Sequence, residues 1–161
     1  MIAVILCEFT GIVRDAFLRK GFASVSCDLL PSESSLGKHI QGDCRNYDWS
    51  WADLAICFPP CTHLAVSGAR WFKDKQQEQK EALEFIRYLM ALPVRRIAIE
   101  NPVGIISTRI RKPDQIIQPW MFGHGETKAT CLWLKKSSPF ETNQYSQRQN
   151  KSDSQNATIL N

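Results

Sequence analysis

The chain has 161 residues, 43% of them hydrophobic and 22% charged, which suits one ordinary globular domain with a single core and leaves no space here for a second. No run of 18 apolar residues occurs, so no membrane-spanning helix is expected. The formal charge of +4 permits a polyanionic partner without demonstrating one, because a solvated basic face has the same composition.

The elements follow one another in a readable order. Residues 2–7 are a β-branched apolar run that meets a turn at Gly11, and a helical pattern then carries through Phe17 to Lys20. Ala23–Cys27 reads as a second strand ending at Asp28. A loop rich in Pro, Ser and Gly leads past Asp43 to a third apolar strand at Asp53–Cys57. Lys73–Leu92 has the apolar stripe of an amphipathic helix, with Ala82, Leu83, Phe85, Ile86, Leu89 and Met90 among Glu, Gln and Lys, and Pro93 closes it. Ile97–Glu100 makes the next strand and Ala129–Leu134 a late one, after which the Gln-, Asn- and Ser-rich residues 137–161 read as a loose tail. The domain proper is therefore expected over residues 1–136. Alternating strands and helices predict an α/β fold, a mostly parallel sheet with helices on both faces, whose ligands sit at the carboxyl ends of the strands.

Cys7, Cys27, Cys44, Cys57, Cys61 and Cys131 are scattered singly. Most lie in apolar runs such as VILCEF and LAICFPPC, where free thiols serve as small core residues and no disulfide framework is implied. Cys57, Cys61 and His63 lack the second ligand pair of a zinc site, so no metal is expected. The segment MIAVILCEF has neither the basic start nor the cleavage site of a signal peptide, so a cytoplasmic location is expected.

Two segments carry chemistry. In DLAICFPPCTHLAVSG a buried strand delivers Pro59, Pro60 and Cys61 into a loop. The two prolines fix the backbone as a rigidly presented nucleophile requires, although a core cysteine beside a rigid turn would read the same way. In RRIAIENPVG an apolar strand ends in Glu100 and Asn101, and a carboxylate there could equally cap or pair. Together they can flank a flat ring: a thiolate adds to carbon 6 of a pyrimidine while a protonated carboxyl donates to nitrogen 3, which makes carbon 5 nucleophilic enough to take a methyl group.

These residues resemble the cytosine carbon-5 methyltransferases, whose hallmarks are a Pro-Cys loop and a later Glu-Asn-Val; here they are Pro60-Cys61 and Glu100-Asn101-Pro102. ILCEFTGIVRDAFLRKGF looks like a shortened form of the family's Phe-x-Gly-x-Gly loop, and FGHGETKATCLWL resembles its Gln-x-Arg-x-Arg segment. The likeness covers roughly residues 2–135 and is strongest to the small cytosine methylase-like proteins of bacteriophages and prophages. It implies a Rossmann-like S-adenosylmethionine-dependent methyltransferase fold, with S-adenosyl-L-methionine as cofactor. Cys61, Glu100 and Lys128 would then be catalytic. Glu8, Gly11, Asp28, Asp43 and Pro59 would hold the cofactor, with Asp28 on the ribose and Asp43 near the adenine. Pro60, Asn101 and Thr130 would position the substrate, cytosine in DNA or a cytidine nucleotide. The loop Thr62–Trp71 would close over the base, with Trp71 and Phe72 as its anchor.

Larger members insert a target-recognition domain after the last of these strands and end in a Gly-Asn-Ser-Val-like helix, and only 27 residues follow Leu134 here. Lost recognition machinery argues against sequence-specific action by this chain alone. The alternative is a degenerate relative that binds cofactor, nucleotide or a host protein without turnover. Arg70, Lys73, Lys75, Arg109, Arg111 and Lys112 are read as flanking the site, as a phosphate-binding rim or a solvated surface.

Overall fold

The computed structural model describes residues 1–65 and 76–135. The expectations for Arg70, Lys73, Lys75, Trp71, Phe72, the rest of 66–75 and the tail 137–161 lie outside the described residues.

Seven strands form one sheet: β1 (Ile2–Leu6), β2 (Ala23–Asp28), β3 (Lys38–Gln41), β4 (Leu54–Cys57), β5 (Arg96–Pro102), β6 (Gln115–Ile117) and β7 (Thr130–Lys135). Their spatial order is β3-β2-β1-β4-β5-β7-β6. All neighbours are parallel except β7, which runs antiparallel to both β5 and β6. Helix α1 (Ile12–Arg19) connects β1 to β2, α2 (Gln76–Ala91) precedes β5, and the single turn α3 (Ile106–Arg109) follows it. From β1 the chain steps toward one edge through α1, and from β4 it steps toward the other through α2. Right-handed crossovers place those helices on opposite faces, giving the three layers of a Rossmann-like fold.

The parity of the strands agrees with this layering. Val4, Leu6, Ala55, Cys57, Ile97, Ile99, Cys131 and Trp133 share a core with Leu83, Ile86 and Leu89 of α2. Each such large aliphatic contributes roughly 1.5–3 kcal/mol by leaving water. Strand order reverses between β1 and β4, and at this switch point the loops leaving the two carboxyl ends diverge and open a crevice.

Helix α1 begins at Gly11, whose φ of 78° suits a residue without Cβ. The Glu8 carboxylate accepts from the backbone N–H groups of Val13 (2.6 Å) and Arg14 (3.3 Å), satisfying two donors that a helix start leaves free. Arg14 is fully buried. Its guanidinium donates to Asp15 Oδ1 (2.8 Å), Ser26 Oγ (3.0 Å), Ser32 Oγ (3.2 Å) and the Ser34 carbonyl (3.1 Å), pinning the loop after β2 to the helix.

Candidate active site

A cleft of about 270 Å³ opens at the carboxyl ends of β1, β2 and β3, near the lower bound for small-molecule sites. Cys7, Asp28, Leu29, Asp43, Arg45 and Pro60 are among its lining residues. Asp28 closes β2, and its Oδ1 accepts from the Leu30 N–H at 3.0 Å, so the other carboxylate oxygen is available to a ligand. The Asp43 carboxylate accepts from the Arg45 N–H at 2.9 Å and pairs with the Arg45 guanidinium, which holds the carboxyl below its ordinary range. Arg45 in turn lies over the Phe85 ring, 5.6 Å from its centroid.

Beside the cleft, the loop leaving β4 is tied to the loop leaving β5 at two places. The Asn101 amide nitrogen, on a buried side chain, donates to the Pro59 carbonyl at 2.9 Å. Farther along, Ala65 bridges Gly104, and the Ile105 N–H donates to the Leu64 carbonyl at 2.9 Å. Cys61 lies between the two ties, half-buried, and its carbonyl accepts from the N–H groups of Leu64 and Ala65 in a tight turn. The residue is thus partly exposed and backed by a fixed main chain, the support that a nucleophile requires.

Glu100 ends the apolar part of β5. In the antiparallel register Glu100 faces Leu132 and Pro102 faces Thr130, so Thr130 is a diagonal neighbour of Glu100 on the same side of the sheet. The Thr130 hydroxyl bonds to the carboxyl group, and Lys128 acts on it through its charge. Burial outweighs both and raises the Glu100 carboxyl above its ordinary value. A carboxyl so placed can hold a proton and give it to a ring nitrogen.

The sequence-derived residues thus fall into groups. Cys61, Pro59 and Asn101 form one tied assembly, and Glu100, Thr130 and Lys128 form a second on the adjoining strand ends. Asp28 and Asp43 share the cleft. Pro60, read as substrate-positioning, lines that cleft, whereas Pro59, read as cofactor-binding, is buried beneath it. Glu8 and Gly11 shape the start of α1, and their side of the loop faces the helix and Arg14.

Two expectations are corrected. Arg111 and Lys112 do not flank this site: the Arg111 guanidinium pairs with Asp114 and donates to the Leu134 carbonyl, at the end of β7 that lies across from the start of β5. The chain has by then crossed to the opposite edge of the sheet, while Arg109 ends α3, where its carbonyl accepts from Arg87 of α2. Cys7 is not part of the core: it is only partly buried and lines the cleft. Of the closing loop, the described part is Thr62–Ala65, in which Thr62 is exposed and Leu64 and Ala65 are buried. The sequence reading also passed over Gly104, where a Cβ would stand 2.0 Å from the Leu64 carbonyl oxygen. Its signal was present in the ENPVG run, a glycine just beyond a strand end where backbone approaches backbone.

No protein-family model and no curated protein matches the chain. Among solved structures it is similar to an rRNA methylase from Escherichia coli, at 14% identity and a TM-score of 0.48, covering 84% of this chain and 57% of that one. It is also similar to an RNA methyltransferase from Salinibacter ruber in complex with S-adenosyl-L-homocysteine, at 13% identity and a TM-score of 0.46, covering 88% and 86%. A third is the 16S rRNA methylase RmtB, at 13% identity and a TM-score of 0.44, covering 84% and 56%. The chain therefore spans little more than half the length of the first and third of these.

Proposed function

We propose that the chain is an S-adenosyl-L-methionine-dependent methyltransferase acting on carbon 5 of cytosine, in a nucleic acid or a free nucleotide. The observation that carries this reading is the Asn101 tie to Pro59, which fixes the Pro59-Pro60-Cys61 loop to the strand end bearing Glu100. The cofactor fits the cleft by its donors and acceptors: a free carboxylate oxygen on Asp28 suits ribose hydroxyls, and Leu29 with the Asp43–Cys44 turn suits an adenine ring. When bound, the cofactor supplies an electrophilic methyl group.

The chain's own residues would do the rest. Cys61 sulfur adds to carbon 6 of the base, Glu100 donates its proton to nitrogen 3, and the electron pair released at carbon 5 becomes the nucleophile. After methylation a water molecule takes the proton from carbon 5, the sulfur leaves as a thiolate, the ring double bond returns and the proton on nitrogen 3 goes back to the Glu100 carboxylate. Thr130 and Lys128 orient the Glu100 carboxyl and modulate its charge. The test is a trap. A cytosine substrate carrying fluorine at carbon 5 cannot complete the elimination, so with cofactor present it should leave a stable adduct on Cys61, and Cys61→Ser should leave none. Binding of S-adenosylhomocysteine without any adduct on DNA, RNA or cytidine nucleotides would instead establish a module that binds without turnover.

A further inference from the structure

The basic residues that fall away from the catalytic edge gather at another corner of the molecule. Arg95 immediately precedes β5 and Arg96 opens it, and Lys135 closes β7 beside them, since Ile97 and Lys135 are partners in the antiparallel register. Arg111 joins this corner through its guanidinium, which donates to the Leu134 carbonyl at 2.9 Å, and exposed Lys112 follows it. About one turn before Met90 on α2, the Arg87 guanidinium donates to the Arg109 carbonyl at 3.4 Å. Amid these cations lies a cavity of about 350 Å³, lined by Met90, Ile97 and Trp133 and by Arg111, Asp114 and Lys135.

The charges are seated by the fold and little neutralised. Trp133 Nε1 donates to the Arg111 carbonyl at 2.9 Å, fixing its main chain, and the Lys135 ammonium donates to the Leu92 carbonyl at 2.9 Å. Asp114 pairs with Arg111 at 2.8 Å, while Glu84, about one turn before Arg87, is engaged by Lys80 at 4.0 Å. Among the described residues no ion pair engages Arg87, Arg95, Arg96, Arg109 or Lys112. Like charges held together repel, so a polyanion that joins them lowers the energy of the group. Most of these cations are arginines, whose planar fork matches phosphate oxygens in pairs. They stand on separate segments, the end of α2, the start of β5, the chain after α3 and the end of β7, which suits a row of phosphates better than a single one.

We infer that this corner holds the phosphodiester backbone of a nucleic-acid strand. Arg96 and Glu100 lie on the same strand of the sheet, about 13 Å apart at ~3.3 Å per residue, a distance of about four steps along a nucleic-acid strand. A free nucleotide at Glu100 stops short of the corner, whereas a strand of several nucleotides reaches both. The inference extends the reading above from nucleotide to polymer, and rests on that reading only for where the target base goes.

The experiment measures the fluorescence anisotropy of labelled single strands of RNA and of DNA, ~20 nucleotides long, titrated with the full chain without cofactor. Log affinity should fall linearly with log salt concentration, and the tighter of the two strands identifies the polymer. Arg95→Gln combined with Lys112→Gln, both at exposed positions, should weaken binding roughly 10-fold and make the salt slope shallower by about 0.7 per charge removed, whatever the base sequence. Arg95→Lys with Lys112→Arg should keep the slope. Arg19→Gln with Lys20→Gln removes the same charge from exposed positions at the end of α1 and should change affinity by less than about twofold. Equal losses in the two charge-removing pairs would reduce the effect to net charge and overturn the inference. So would the absence of strand binding, or displacement of the strand by polyglutamate as readily as by unlabelled strand. Strand binding without an adduct on Cys61 leaves this inference standing and removes the reaction; an adduct with a free cytidine nucleotide and no strand binding does the reverse.

Discussion

Replacing Gly104 by alanine tests the architecture of the site at its most constrained point. The added Cβ would stand 2.0 Å from the Leu64 carbonyl oxygen, 2.8 Å from its carbon and 3.1 Å from Ala65 Cα, all of them main-chain atoms. No side chain can rotate away, so the two loops must separate by about 1 Å or more to reach ordinary contact. The bridge between Ala65 and Gly104 and the Ile105 N–H bond to Leu64 would then be lost, at a cost of about 1–3 kcal/mol. For a chain of this size that is a fall in melting temperature of roughly 3–10 °C. The turn carrying Cys61 lies just before the bridge, so its sulfur would shift by a similar distance, and a misplacement near 1 Å costs on the order of 100-fold in rate. Calorimetric melting and the rate of adduct formation with 5-fluorocytosine substrate measure the two effects. A Gly104→Ala chain that melts and traps like the wild type would refute the claim that this close approach holds the nucleophile's loop.

Asn101→Ala removes the tie to Pro59 and should slow adduct formation while leaving the affinity for S-adenosylhomocysteine within about twofold, because the cleft lies on the other side of the loop; equal losses in both would show that Asn101 supports the cleft instead. Asp28→Ala should weaken S-adenosylhomocysteine binding roughly 10- to 100-fold in a calorimetric titration, the range for losing hydrogen bonds to a charged acceptor, and unchanged affinity would remove Asp28 from the ribose role. Burial raises the Glu100 carboxyl, so the fold favours its protonated form: the stability linked to Glu100 is full below the ordinary carboxyl value and is lost as pH rises through the raised one. Glu100→Gln should flatten that decline in a series of melts, and an unchanged slope would show that the group is not protonated in the fold. Trapping by the wild type should likewise slow as pH rises through that value.

The buried strands were legible because they are apolar runs: β1, β4 and β5 stand where VIL, LAIC and IAI stand in the sequence. The edge strand β3 was not, since KHIQ is polar and is a strand only through its pairing with β2, from Val25–Lys38 to Asp28–Gln41. β6, three residues long, is likewise held by β7 alone. Helix α1 inverts the usual pattern, with Arg14 and Asp15 buried and Ile12 70% exposed, so an apolar stripe located its end but not its start. That the loop bearing Cys61 leaves the sheet beside the strand end bearing Glu100 could be inferred from the order of strand ends. The basic residues after β5 could not be placed, because the antiparallel return through β7 depends on partners far along the chain.

The buried Arg14 changes what a glycine in this chain means. At Gly11 a Cβ would meet Arg14 Nη2 at 2.5 Å, and at Gly37 one would meet Arg14 Nε at 2.8 Å and Leu18 Cδ1 at 2.5 Å. Both glycines are therefore excluded volume around one guanidinium as well as turn residues. Arg14, Asp15, Ser26, Ser34, Gly11 and Gly37 form a set whose members are viable only in one another's company, so the loop after β2 can be redesigned only as a block. A chain that replaced Arg14 with an apolar residue would strand the acceptors around it, yet would also release positions 11 and 37 from the steric demand of the guanidinium. Loss of ligand binding in a Gly11 variant accordingly reports on this helix-to-loop clasp before it reports on any contact between Gly11 and a ligand.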